Sequence, residues 1–221
     1  MAEPAPLGLL GGTFDPIHYG HLRLAEEARE ALGLSGLCWI PAGQPPHRAA
    51  PRVAAAHRLE MVRRAVAGNP AFTVDDAETR APGPSYTVTT LERLRATMPE
   101  CPLVLLMGAD AFLGLAAWHR WRELLDLAHL GVATRPGFPL SSEEWPAELA
   151  RTCAGRLGGA ADALRTSPAG RVVGFPMTPL DISASLLRAR LAGGLSVRYL
   201  LPDPVREYIE AHHLYDTPDG R

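Results

Sequence analysis

The chain has 221 residues, a net charge of −2, and 47% hydrophobic against 21% charged residues. That length and apolar content fit one large α/β domain or two small ones with a sizeable core, and the near-neutral balance gives no bulk reason to expect a nucleic-acid partner. All 22 basic residues are arginine and lysine is absent, which excludes a Walker A lysine and a Schiff-base lysine and leaves any phosphate clamping to arginine's planar fork.

Apolar runs alternate with helix-like segments along the chain. Leu7–Leu10 is a short apolar run that predicts a buried strand. The segment Gly11-Gly12-Thr13-Phe14-Asp15-Pro16-Ile17-His18-Tyr19-Gly20-His21-Leu22 follows, and then an amphipathic stretch, Leu22–Leu32, that predicts a helix. Two glycines, a turn-forming Asp-Pro and two histidines three residues apart thus sit where a strand feeds a helix. A helix start offers unpaired backbone N–H groups and the positive end of a dipole, which suits phosphate. Two imidazoles beside it add donors that can follow charge onto a phosphoryl oxygen.

Leu37–Ile40 predicts the second strand, and the proline-rich loop after it carries His47 and Arg48 at its tip. Val53–Ala67 predicts a helix whose Leu59, Val62 and Val66 form a packing stripe, with His57-Arg58 beside it. Phe72–Val74 predicts the third strand. Pro84-Ser85-Tyr86-Thr87 then opens a helix over Val88–Met98, with Ser85 or Thr87 as its candidate cap. Leu103–Met107 predicts the fourth strand, and Asp110 just beyond it either caps a helix or meets a ligand. Trp118-His119-Arg120-Trp121 leads into a predicted helix, Trp121–Leu127, with Trp121 the core candidate.

Leu130–Ala133 predicts the fifth strand, ending in Thr134-Arg135-Pro136-Gly137. The stretch from Ser141 to Gly170 is polar and then alanine-rich, with a helix expected over Glu148–Arg156, and Val172–Phe175 predicts the last strand. Ile182-Ser183-Ala184-Ser185-Leu186-Leu187-Arg188 opens a helix over Ser183–Ala192. Two hydroxyls at a helix start with an arginine one turn on make a second phosphate cradle, or else Ser183 caps and Arg188 is a surface charge. Pro204–His212 predicts the final helix, with Pro204 in its first turn and His212-His213 at its C-terminus.

Continuous apolar strands alternating with helices imply an α/β, Rossmann-like, doubly wound parallel sheet with a helical C-terminal portion. Ligands in such sheets bind outside the carboxyl ends of the strands. With no internal repeat and no clear linker, residues 1–221 are expected to form a single domain, with a core over about 7–180 and the helical part over about 181–215. No run approaches the roughly 18 apolar residues of a membrane span. Met1–Pro6 lacks the basic and apolar regions of a secretory signal. Cys38, Cys101 and Cys153 lack metal-ligand spacing, so free thiols, a cytoplasmic location and no membrane partner are expected.

Taken together, these motifs resemble the nucleotidylyltransferase superfamily, whose (H/T)xGH signature matches His18-Tyr19-Gly20-His21, and in particular the bacterial nicotinate-nucleotide adenylyltransferases. Class I aminoacyl-tRNA synthetases share a related element but need a lysine-bearing loop, which this chain cannot have. The resemblance extends to the Pro-Pro-His-Arg loop, the PSYT helix opening, the Gly-x-Asp after the fourth strand, the tryptophan segment, the Arg-Pro-Gly turn and the ISASLLR element. Three positions depart from the family pattern. Arg48 replaces the usual lysine, Thr134 stands where a second basic residue is common, and Ser185 replaces the usual threonine.

The resemblance implies transfer of AMP from ATP to nicotinate mononucleotide, giving deamido-NAD and pyrophosphate in NAD biosynthesis. Mg²⁺ would be carried on the ATP phosphates and need no dedicated protein cage. The mononucleotide's phosphate would attack directly, with no covalent enzyme intermediate. By resemblance His18 and His21 are catalytic. Gly12, Thr13, Phe14, Arg135, Ser183, Ser185 and Arg188 meet ATP or its phosphates. His47, Arg48, Tyr86, Thr87, Asp110, Trp118 and His119 meet the mononucleotide, with Asp110 on ribose hydroxyls and Trp118 stacked on the pyridine. Two alternatives stand beside this reading: a sister adenylyltransferase using nicotinamide mononucleotide or another phosphorylated acceptor, and a non-catalytic nucleotide-binding regulatory module. His18, His21 and Arg188 are all present, which argues against lost chemistry. Homo-oligomerisation is left open.

Overall fold

A computed structural model describes residues 5–46, 50–135, 137, 140–141, 143, 145–158 and 161–216. The sequence readings at His47, Arg48 and Pro136 lie outside the described residues. Six strands appear in chain order: β1 (Leu7–Gly12), β2 (Gly36–Pro41), β3 (Phe72–Val74), β4 (Leu103–Gly108), β5 (His129–Thr134) and β6 (Val172–Pro176). They form one sheet in the order β3-β2-β1-β4-β5-β6. β1 runs parallel to β4, β4 to β5 and β5 to β6, with Leu7 beside Leu103, Leu105 beside Leu130 and Val132 beside Gly174. The order reverses direction at β1 and β4, so the turns leaving those two strands emerge where ligands of doubly wound sheets collect.

Every predicted strand lies within an observed one. The reason is burial from both faces: Leu103, Val104, Leu130, Val132 and Val172 are all fully buried, and a strand covered by helices on both sides reads as an unbroken apolar run. Gly131 shows how tightly β5 is packed. A Cβ there would come 2.7 Å from Leu106.

The helices are α1 (Tyr19–Ala31), α2 (Ala55–Val66), α3 (Ala77–Arg80), α4 (Thr87–Thr97), α5 (Ala109–Leu113), α6 (Leu124–Leu127), α7 (Ala147–Thr152), α8 (Ala184–Ala192) and α9 (Asp203–Ala211). None of the described helices is long and apolar enough to cross a membrane. Most helix boundaries shift by one or two residues from expectation, and four differences have a clear physical reason. α1 starts before Leu22 because the amides of His21 and Leu22 both bond the His18 carbonyl and begin the helix there. The segment predicted as one helix over Trp121–Leu127 opens as a 3₁₀ turn, Trp121–Glu123, because Arg120 before it is left-handed at φ 50°. α7 stops at Thr152 rather than Arg156, since the chain turns through Gly155 at φ 72°. α4 is not capped by Ser85 or Thr87: Tyr86 occupies the N-cap position and gives no side-chain cap.

Contacts divide the chain into two compact units. The first comprises Met1–Leu10, Leu24–Cys38 and Tyr86–Pro179; the second comprises Gly11–Arg23, Trp39–Ser85 and Leu180–Arg221. Within the first, Trp121 is buried as expected, and Phe112 meets Trp145 edge-to-face at 4.8 Å. Arg95 donates to the carbonyls of Leu127, Met98, Cys101 and Pro168, and so satisfies the ends of several segments at once. His129 is fully buried between the Ser167 carbonyl and the Arg171 amide, and burial lowers its pKa, so it is a neutral core residue. Within the second, α9 packs on α2, and His57 meets the Tyr208 hydroxyl at 2.9 Å.

Candidate active site

Two clusters of candidate residues are described, one in each unit. The first is built on the turn from β1 into α1. β1 ends in Gly11-Gly12, and a Cβ at Gly12 would lie 2.8 Å from the Phe14 ring. Only a residue without a side chain lets that ring fold back over the strand. Phe14 is left-handed at φ 49°, costly for a bulky residue, and its ring is wedged edge-on against His21 at 5.1 Å and tilted against Trp39 at 5.5 Å. The Asp15–Pro16 peptide is cis.

His18 and His21 are brought together with their ring centroids 3.8 Å apart. His18 is 6% exposed, its Nδ1 has no partner among the described residues, and burial brings its pKa down to about 4. It is therefore a neutral imidazole at physiological pH. The backbone N–H of His18 donates to Nδ1 of His21 at 3.3 Å. A nitrogen that accepts carries no proton, so neutral His21 holds its proton on Nε2. The helix start itself offers fewer amides than the sequence implied: Tyr19 N–H already donates to the Leu200 carbonyl and His21 N–H to His18.

Beneath this turn lies Arg58, 1% exposed. Its Nη1 donates to the carbonyls of Thr13 at 2.7 Å and Ala42 at 2.6 Å, its Nη2 to Gly43 at 2.8 Å, and its Nε to Val53 at 3.3 Å. Thr13 thus uses its carbonyl to anchor the turn, and Arg58 is structural. Ser85 reinforces the next loop: its Oγ accepts from Gly43 N–H at 2.9 Å and Gln44 N–H at 3.2 Å.

α8 supplies the other wall of this cluster. Ser183 caps it by accepting from the Leu186 amide at 3.2 Å, and Ser185 accepts from Arg188 Nη2 at 3.2 Å. A hydroxyl that accepts from an N–H keeps its own proton to donate elsewhere, so capping does not remove either serine from phosphate duty. Arg188 Nη1 donates to the Asp15 carbonyl at 2.7 Å and stands 3.9 Å from the Asp15 carboxylate.

Asp15 is the residue that sequence reasoning missed. It is 5% exposed, and its carboxylate accepts from the Arg52 amide and from the Tyr215 hydroxyl, each at 2.7 Å. The signal was an acid within the motif directly before proline, legible only as a turn former. Tyr215, its hydroxyl donor, gave no local signal at all.

The second cluster lies at the start of α4 and around Trp118. Tyr86 stacks on His119 with centroids 4.3 Å apart. The first helical bond of α4 runs from Thr90 N–H to the Tyr86 carbonyl. The amides of Thr87, Val88 and Thr89 precede it, so they have no partner within the helix. Trp118 is half-buried at the end of the turn Leu115–Ala117, and His119 is exposed. Asp110 is exposed in the first turn of α5; Gly108 holds the N-cap position, so Asp110 is not the cap. Arg120 pairs with Glu92 on α4 and with Glu123, tying the tryptophan segment to the same helix that carries Tyr86. Arg135 stands exposed at the end of β5.

A doubly wound sheet whose first strand delivers a His-x-Gly-His turn, faced by an Arg188 that reaches back to that turn, is a nucleotidylyl-transfer scaffold, and the chain belongs to the cytidylyltransferase-like family, whose model matches residues 9–190. Its relatives narrow the branch. A Dechloromonas aromatica protein named "Probable nicotinate-nucleotide adenylyltransferase" is 58% identical over 97% of this chain and 99% of its own. A Halorhodospira halophila protein of the same name is 52% identical over 99% of each chain. Among solved structures, Plasmodium falciparum nicotinic acid mononucleotide adenylyltransferase complexed with NaAD superimposes with a TM-score of 0.73, covering 96% of this chain and 98% of that one. At 15% identity that likeness is one of fold. The curated relatives place the chain in the nicotinate-nucleotide adenylyltransferase branch of the family.

Proposed function

We propose that this chain transfers the adenylyl group of ATP to nicotinate mononucleotide, releasing pyrophosphate and forming deamido-NAD for NAD biosynthesis. The observation that carries the reading is the stacked His18–His21 pair at the entry to α1, with Arg188 bonded to the same turn. The names of the relatives, at 58% and 52% identity, support the same acceptor.

An oxygen of the acceptor's 5′-phosphate forms the new bond to the α-phosphorus of ATP. The bond from that phosphorus to the bridging oxygen breaks, and pyrophosphate leaves with the electron pair. The attacking oxygen is already anionic, so no protein base is required, and catalysis is positioning with charge stabilisation. His21 donates from Nε2 to the phosphates at the reacting centre. His18, neutral beside it, offers its single N–H without placing a full charge in the buried turn. Ser183, Ser185 and Arg188 bind the leaving phosphates. Mg²⁺ carried by ATP would supply charge neutralisation on its phosphates. Among the described residues no cluster of three or more His, Cys, Asp or Glu could hold a metal, so phosphate oxygens and water would supply its ligands.

For the acceptor, Trp118 supplies the face for the pyridine ring. Amides near Thr87 and His119 receive its carboxylate, and Asp110 receives ribose hydroxyls. Cys38, Cys101 and Cys153 form no disulfide among the described residues, in keeping with a reducing, cytoplasmic compartment. The test is pyrophosphate release from ATP with a panel of acceptor mononucleotides. Release with nicotinate mononucleotide supports the reading, and nucleotide binding without release points to a regulatory module instead.

A further inference from the structure

We propose that Tyr215 is a positioning residue for the ATP phosphates, acting through Asp15 on Arg188; this rests on the phosphate role given to Arg188 above. Two residues 200 positions apart in the chain meet here. The Tyr215 hydroxyl, 4% exposed as a residue, donates to Asp15 Oδ1 at 2.7 Å, and the Arg52 amide donates to Oδ2 at the same distance. The same aspartate holds Arg188 twice, by its carbonyl at 2.7 Å and by its carboxylate at 3.9 Å. That longer separation is the key quantity. A buried carboxylate with a donor on each oxygen has its charge met by hydrogen bonds, so Arg188 need not close on it and keeps donors for phosphate.

Tyr215 is built for this purpose. It is left-handed at φ 68°, a conformation a bulky residue adopts only when its surroundings impose it. Burial and the neighbouring Asp15 charge both push its phenol pKa up, so the hydroxyl stays a donor at any physiological pH. Without it, Asp15 Oδ1 is a buried anionic oxygen that has lost its donor, and the Arg188 guanidinium, 3.9 Å from Oδ2 of the same carboxylate, is the group that can replace it. Arg188 would then close into a direct salt bridge with Asp15 and turn its fork from the nucleotide.

The experiment compares Tyr215→Phe in two backgrounds, wild type and Arg188→Ala, measuring KM for each substrate, kcat, and the calorimetric affinity for pyrophosphate. Tyr215→Phe is expected to raise KM for ATP and weaken pyrophosphate by roughly tenfold, with KM for nicotinate mononucleotide changed less than twofold. In the Arg188→Ala background the same substitution should add nothing further, because it acts through that residue. Equal losses for both substrates, or an undiminished ATP effect without Arg188, would show a merely structural tyrosine and overturn the proposal. Should Tyr215→Phe fail to fold, Arg52→Pro removes the other donor to the Asp15 carboxylate, the Arg52 amide, and must give the same ATP-selective, Arg188-dependent pattern. A wild-type protein that neither binds ATP nor releases pyrophosphate would instead defeat the functional reading on which the proposal stands.

Discussion

The backbone N–H of His18 donates to Nδ1 of His21 across 3.3 Å, and this bond fixes where the second imidazole keeps its proton. With Nδ1 occupied as an acceptor, His21 can donate only from Nε2. His21→Ala should lower turnover by about 10²-fold or more, the scale of losing one preorganised donor at the transition state, while leaving the fold intact. His21→Gln places an amide N–H near the Nε2 position and should retain more turnover than His21→Asn. Nitrogen-15 shifts of the imidazole should report the Nε2–H tautomer; an Nδ1–H tautomer in the free protein contradicts the assignment.

His18 makes a prediction about pH. Its folded pKa of about 4 lies below the ordinary value of 6.5, so the folded state resists protonation more than the unfolded chain does. Its contribution is fully present above pH 6.5 and is lost as pH falls from there towards 4. The most it can cost is about 3 kcal/mol across that window, at 1.36 kcal/mol per pKa unit. Denaturant unfolding of wild type and His18→Asn at several pH values checks this. The variant should lose less stability between neutral and acid conditions, and parallel curves would contradict a buried neutral His18.

Arg58 should behave as a structural clamp. Its guanidinium serves the carbonyls of Thr13, Ala42, Gly43 and Val53 from a fully buried position. Arg58→Met should destabilise by about 3–5 kcal/mol, because several buried carbonyls lose their donors together. Arg58→Lys should recover little, since one ammonium cannot reproduce the fork. A drop in melting temperature of under 2 °C for either variant would be far too small for this role.

What the sequence disclosed and what it hid follow from the range of the interactions. The six strands were legible because Leu103, Val104, Leu130 and Val132 are buried on both faces and leave unbroken apolar runs. The His18–His21 turn was legible because its parts are adjacent in the chain. α3 and α5 escaped notice because four or five residues are too few to show a helical period. Ser85 looked like a helix cap by residue type, yet its hydroxyl is spent on Gly43 and Gln44, more than 40 residues away. Arg58 could be placed beside the packing stripe of its helix, but its four carbonyl partners were hidden because burial of an arginine leaves no mark in composition. Asp15 and Tyr215 are separated by 200 residues, and no local pattern encodes that bond.

Arg188 should act on the nucleotide and not on the acceptor. Arg188→Ala is expected to cost about 1.5–3 kcal/mol in ATP affinity, the value of a charge-assisted bond, and a similar amount for pyrophosphate. Calorimetry showing equal losses for ATP and the pyridine mononucleotide would contradict its place beside the phosphates.

The most direct test of nicotinate mononucleotide as the acceptor is a comparison of kcat/KM for nicotinate and nicotinamide mononucleotides, read as pyrophosphate released from ATP. The two differ by a carboxylate against a carboxamide. Amide donors such as those near Thr87 can bond both oxygens of a carboxylate, whereas a carboxamide turns an NH₂ towards one of them and leaves two donors facing each other. A buried donor left unpaired costs about 1–3 kcal/mol, and more when the lost bond was to a charge. Nicotinate mononucleotide should therefore be preferred by roughly 10²-fold or more, at 1.4 kcal/mol per factor of ten. Pyrophosphate and deamido-NAD should appear in equal amounts. Equal efficiency with the two acceptors, or no release with nicotinate mononucleotide, would contradict the account.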